Sequence, residues 1–173
     1  MRNYPEITKM KRILIIGCCG AGKTTLALEL GNRLKIPVHH LDQLWWLPDW
    51  KEDSPENFDA KLAGILKEDR WIIDGNYNRT LPERLKYADT VIFLDYSRLR
   101  CIHQVLKRTL RFRGTTRADM TPGCPERFDR EFLRYVWHYN RDMRPRVECT
   151  LKDFHGNVFR FKSPRQATAF YSA

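Results

Sequence analysis

The sequence predicts an α/β protein in three layers, a five-stranded parallel sheet with helices on both faces. Three observations predict it. Short apolar runs rich in β-branched residues recur along the chain, stretches with helical apolar spacing separate them, and the first run ends in a glycine-rich turn. Strands separated by crossover helices pair in parallel, because each helix returns the chain to the same end of the sheet. At 173 residues and 42% hydrophobic, the chain is read as one domain over 1–173 with enough apolar side chain for a core.

Arg12–Gly17, RILIIG, is a buried strand ending at glycine. Lys23–Lys35 then places Leu26, Leu30 and Leu34 on one helical face. Pro37 opens a second extended run, PVHHLD, to Asp42. Ser54-Pro55-Glu56 has a capping hydroxyl and proline at the first helical position, which starts a helix running to Asp69. WIID at 71–74 is a third strand, Leu81–Ala88 a short helix, and TVIFLD at 90–95 a fourth strand. Ser97 caps a helix to Phe112; 114–123 is polar loop; Pro125 starts a helix to Tyr139, with further helix to Phe154. VFRF at 158–161 is the fifth strand, and Ser163-Pro164 opens a last helix.

No apolar run approaches the roughly 18 residues of a membrane span. The N-terminal MRNYPEITKMKR carries charge without the apolar core of a leader, so a cytoplasmic setting and no membrane partner are expected. Five cysteines, without a CxxC, fit reduced thiols rather than a disulfide framework or zinc site. The net charge of +10 is concentrated: residues 98–146 hold thirteen Lys or Arg against five acids, and twelve of the thirteen are arginine. The guanidinium fork suits phosphate, so this segment expects a polyanion, either nucleic acid or a small phosphorylated ligand.

GCCGAGKT, Gly17–Thr24, matches the phosphate-loop pattern G-x-x-x-x-G-K-S/T between a predicted strand and helix. Gly17, Gly20 and Gly22 let backbone amides close around an anion, with Ala21 and Thr25 completing the turn and the helix entry. Lys23 reaches the β- and γ-phosphates of ATP, and Thr24 offers its hydroxyl to Mg²⁺. A second metal anchor comes from a strand-end aspartate; Asp74 is preferred over Asp95, which reads also as a turn cap before Ser97. Cys18 and Cys19 contribute mainly backbone.

The phosphate loop, the DG with a following arginine and threonine after the third strand, and the arginine-rich segment after the fourth resemble the adenylate kinase-like kinases. Within these, HLDQLWWLPDW, WIIDGNY and GCPERFDREFLRYVW are similar to the bacterial DNA topology modulation proteins. The resemblance implies an acceptor-binding excursion over about 42–70 and an arginine-rich lid over about 111–146. It places Asp74 on the metal's water shell and Arg79 on the acceptor's phosphate, with one extra residue in the motif. It makes Arg108 a lid-hinge arginine, with Arg127 and Arg141 completing the clamp and Arg117, Arg130 and Arg134 as rivals.

Asp42 and Trp45 fall at the expected acceptor site, where adenylate kinases carry an arginine for the AMP phosphate; tryptophan there weakens the case for AMP. Trp45, Trp46 and Trp50 either line an aromatic pocket or pack the excursion onto the core. Adjacent residues cannot face the same way on a regular element, so at least one of them is expected in the cleft. His39 and His40 are left outside the mechanism. The expected activity is transfer of the ATP γ-phosphoryl group to a nucleotide, nucleoside or other small hydroxylated acceptor. The alternative is an ATP-binding or ATP-hydrolysing protein associated with DNA.

Overall fold

The computed structural model describes residues 7–171, so residues 1–6 of the charged N-terminal segment read above lie outside the described residues. Five parallel strands form the main sheet: β1 (Arg12–Gly17), β2 (Val38–His40), β5 (Trp71–Asp74), β6 (Thr90–Leu94) and β7 (Asn157–Phe161). Their spatial order is β2-β5-β1-β6-β7, with β1 central between β5 and β6. Two further strands, β3 (Trp46–Leu47) and β4 (Lys51–Glu52), make a small antiparallel hairpin beside it.

Side-chain alternation along the central strands feeds two cores. Ile13, Ile15, Ile72 and Ile92 pack with α1 (Lys23–Leu34), α5 (Arg98–Phe112), α6 (Arg130–Asp142) and α8 (Pro164–Tyr171). Leu14, Ile16, Ile73 and Phe93 face α3 (Pro55–Leu66), α4 (Leu81–Tyr87) and α7 (Arg144–Leu151), through Phe58, Leu62, Leu81 and Val147. Each fully buried side chain of this size stabilises by roughly 1.5–3 kcal/mol, which outweighs the modest intrinsic preferences of such short strands. Among the described residues no helix is long and apolar enough to cross a membrane.

Two elements depart from the sequence expectation. The second extended run stops at His40, and Leu41–Trp45 is a short helix, α2. Leu41 is fully buried in the α3-side core, and the Trp46 N–H closes the turn on the Asp42 carbonyl. The helix expected from Pro125 begins instead at Arg130. Residues 113–115 and 126 pair through backbone bonds, Gly114 N–H to Glu126 O at 3.0 Å and Glu126 N–H to Thr115 O at 2.9 Å. Helix starts only where the Asp129 carboxylate accepts the Phe132 N–H at 2.9 Å. A cap that satisfies an orphan donor prevails over a proline that only favours the right φ.

Candidate active site

β1 delivers Gly17 to the carboxyl edge of the sheet, and residues 18–22 turn the chain into α1. Gly20 has φ +81°, and a Cβ there would lie 2.4 Å from the Cys101 carbonyl of α5, so only glycine fits the approach. Gly22, at φ +90°, precedes α1 in a left-handed conformation without any side-chain cap. A Cβ at Gly22 would meet no atom within 4 Å: the loop faces open space where the first amides of α1 are unpaired. That cradle fits an anionic phosphate tail. The Lys23 ammonium spans it, donating to the carbonyls of Gly17 at 3.0 Å and Cys18 at 3.2 Å. Behind the loop, the Cys101 thiol and burial push the Cys18 thiol up, and burial does the same for Cys19 on the cleft lining, so both stay protonated at neutral pH.

The loop forms one wall of a cleft of about 370 Å³. Gly20, Gly22, Lys23, Thr24 and Thr25 line it, with Asp42, Asp74, Trp46 and Trp50 from the acceptor side and Arg108, Arg117 and Arg127 from the arginine-rich segment. Asp74 is buried, with its Oδ1 2.8 Å from His40 Nδ1. Asp42 accepts the Tyr77 hydroxyl at 2.9 Å; burial raises its pKa, partly opposed by that hydrogen bond and by Lys23. Asp95, the rival metal anchor, is not on the cleft: it is engaged by Arg160 at 2.7 Å and Arg144 at 3.3 Å.

The tryptophans divide. Trp45 packs against Phe58 and Tyr77, with centroids 5.7 and 6.2 Å apart, away from the cleft lining. Trp46 and Trp50 do line the cleft and meet at 5.4 Å and 72°, an aromatic corner. Arg79 does not reach the cleft. Its guanidinium makes two 2.8 Å bonds to Asp59 and stands over the Phe58 ring. Arg141 lies on an exposed part of α6 bonded to Asp142, beside a separate groove shared with Arg134, Tyr135 and His138. Gly17 and Ala21 sit in the loop but not among the cleft-lining residues; the Gly17 N–H donates to Asn76 Oδ1 at 3.1 Å.

Sequence reasoning missed the acids that complete this wall. Glu126, nearly buried, accepts from Arg108 Nε and Thr109 Oγ1, both at 3.1 Å, and pairs with Arg117 Nε at 2.9 Å. Arg117 also reaches Asp119 at 2.7 Å, and Asp119 accepts the Thr24 hydroxyl at 3.2 Å. Two carboxylates within an arginine-rich run were the only available signal. Residues 118–125 are also tied to residues 43–50. Gln43 donates to the Ala118 carbonyl at 2.9 Å, Asp49 N–H to Gly123 O at 3.0 Å, and Trp50 Nε1 to Pro125 O at 3.0 Å. Thr121 Oγ1 contributes a further bond of 2.6 Å to the Trp46 carbonyl.

Two predictions follow from these contacts. Thr121→Val should loosen the clasp by about 1–2 kcal/mol, seen as faster amide hydrogen exchange over 115–125 with the main sheet unchanged. For His40, burial alone lowers the pKa, but the hydrogen bond to Asp74 and its charge outweigh it, and the net shift is upward. A raised histidine pKa stabilises fully below the unfolded value, and that contribution is lost as pH rises through the folded value. The melting-temperature gap between the parent and His40→Gln should therefore be widest in mild acid and narrow as the imidazole deprotonates.

No protein-family model and no curated protein sequence matches the chain. Solved structures do. A shikimate kinase from Bacteroides thetaiotaomicron superposes with a TM-score of 0.55 at 17% identity, covering 94% of this chain and 95% of its own. The shikimate kinase of Acinetobacter baumannii, in complex with shikimate, superposes at 0.58 with 14% identity, covering 96% and 91%. The chain shares its fold with these two proteins. At this identity the similarity speaks to architecture: the parallel sheet, its flanking helices and the order in which they occur.

Proposed function

We propose that this chain is an ATP- and Mg²⁺-dependent phosphotransferase acting on a small hydroxylated acceptor. The observation that carries the reading is that Lys23 and Thr24 of the phosphate loop share one cleft with Asp42 and Asp74. Phosphoryl transfer asks mainly for positioning and positive charge, and those residues with Arg108, Arg117 and Arg127 provide both. In the reaction the acceptor oxygen bonds to the γ-phosphorus as the bond to the β–γ bridging oxygen breaks, leaving ADP. Lys23 holds the β- and γ-phosphates in line. Asp42, whose pKa is raised, orients the acceptor hydroxyl and takes its proton.

Magnesium, held by Thr24 and through water by Asp74, would add positive charge across the phosphates. Thr24 and Asp74 both line the cleft, and their oxygens fit such an ion arriving with ATP. The arginine-rich segment excludes water so that the phosphoryl group goes to the acceptor rather than to hydroxide. Arg108, Arg117 and Arg127 are the clamp on this reading; Arg141 would need its helix face to turn.

The test is transfer of radiolabelled γ-phosphate to nucleosides, nucleotides and small hydroxylated metabolites, with and without Mg²⁺. Label in an organic product is the expected result; inorganic phosphate alone would make the protein an ATPase. The finer resemblance to DNA topology modulation proteins is checked by titrating DNA binding against salt, where a protein neutralising several phosphates loses affinity steeply.

A further inference from the structure

Resting on the phosphotransferase reading, we propose that the acceptor carries no negative charge: it is a hydroxyl compound, neutral or bearing an amine, seated between Asp42 and the Trp46–Trp50 corner. A carboxylate or phosphate on the acceptor needs an unspent cation at that end of the cleft. On that reading each basic side chain near it is paired outward, buried, or assigned to the phosphates of ATP. Arg79 is clamped outward by Asp59 through two 2.8 Å bonds. Arg84 is fully buried, with its guanidinium spent on the carbonyls of Gly75, Asn76 and Tyr77. On the cleft itself, Lys23 belongs to the phosphate loop, while Arg108 and Arg117 converge on Glu126. Arg127 makes no ion pair among those of the described residues; it lies 5.4 Å over the Trp50 ring, covering that face, and on the phosphotransferase reading it belongs to the clamp on the transferring phosphate.

What the acceptor end offers instead is one free carboxylate and two indoles. Asp42 lines it, while Asp74 is held by His40 and assigned to the magnesium, so an anionic acceptor would meet the Asp42 charge in a part-buried site. The Asp42 oxygens accept from hydroxyls or an ammonium. The two indole rings, inclined at 72°, present faces that attract a cation and stack on a sugar or aromatic ring. Asp42 is held in place for this by the Tyr77 hydroxyl, while its second oxygen makes no hydrogen bond to the chain among those recorded for the described residues.

The experiment uses the full chain, Mg²⁺ and a non-hydrolysable ATP analogue. Binding is followed by tryptophan fluorescence, with Trp46→Phe to identify the reporting ring. The probes are matched sets on one scaffold, such as glucosamine, glucose and glucuronate, or adenosine, its amino-sugar analogue and AMP. The amine and neutral members should bind, and the acid at least about tenfold more weakly. Asp42→Asn should erase about tenfold of the amine's advantage over its neutral partner, which a merely structural loss would not single out. Acid members binding as tightly as their partners, or no neutral or amine member binding at all, would overturn the proposal. The same probes are then offered with labelled ATP: neutral or amine members that bind but receive no label uphold the acceptor class and sink the kinase reading.

Discussion

Lys23→Ala should lower ATP turnover about a thousandfold while leaving the fold in place. The ammonium bonds only to carbonyls of its own loop, at 3.0 and 3.2 Å, and the side chain is half-buried, so its loss removes little packing. What it removes is the one cation mounted on the phosphate loop itself. Without it the β- and γ-phosphates lose the charge that aligns the reacting bond, and the effect falls on the rate far more than on the melting temperature. Turnover by coupled assay, ATP affinity by titration and a thermal melt separate these outcomes. A variant that hydrolyses or transfers phosphate like the parent would remove the catalytic role of the loop.

Arg84→Ala should destabilise the protein by about 3–5 kcal/mol, a drop of roughly 10 °C in melting temperature for a chain of this size. The guanidinium is fully buried and bonds three successive carbonyls, of Gly75, Asn76 and Tyr77. Truncation leaves those acceptors without donors and opens a cavity where the buried side chain stood. The same loop carries Asn76, which accepts the Gly17 N–H, and Tyr77, which bonds Asp42. Stability and ATP affinity should therefore fall together. Arg84→Met, which restores volume but no donors, should recover only the cavity part; full recovery would show that packing, not hydrogen bonding, holds this loop.

The contrast between Arg84 and Arg79 shows where sequence reading stops. Both arginines follow the same strand, and by sequence motif Arg79 is the functional one. The structure turns Arg79 to an exposed ion pair and buries Arg84 as the support of the site. A string of letters cannot separate them, because the difference lies in what each guanidinium meets in the fold, Asp59 of α3 for one and the buried carbonyls of 75–77 for the other. The tryptophans were half legible. Alternation required Trp45 and Trp46 to part, but which ring met the core depended on Phe58 arriving from α3. At residues 125–130, the proline was a weaker signal than Asp129, whose carboxylate caps the helix beside a Glu126 held by Arg108 and Arg117.

The elements themselves were local matters. Runs of β-branched residues, helical spacing of leucines and the capping serines Ser54 and Ser97 each act within a few residues, so the main-sheet strands and the helices at 23, 55, 81 and 98 followed from the sequence, while α2, the hairpin and the start of α6 did not. The phosphate loop is equally local as a pattern: its glycines and Lys23 lie within eight consecutive positions, although the close approach that requires glycine at 20 comes from α5. Only the tertiary structure decided which charges face the cleft. An ion pair such as Glu126 with Arg108 or Arg79 with Asp59 joins residues about twenty positions apart. Those partners are chosen by helix packing, whose apolar driving force is indifferent to the charges it brings together.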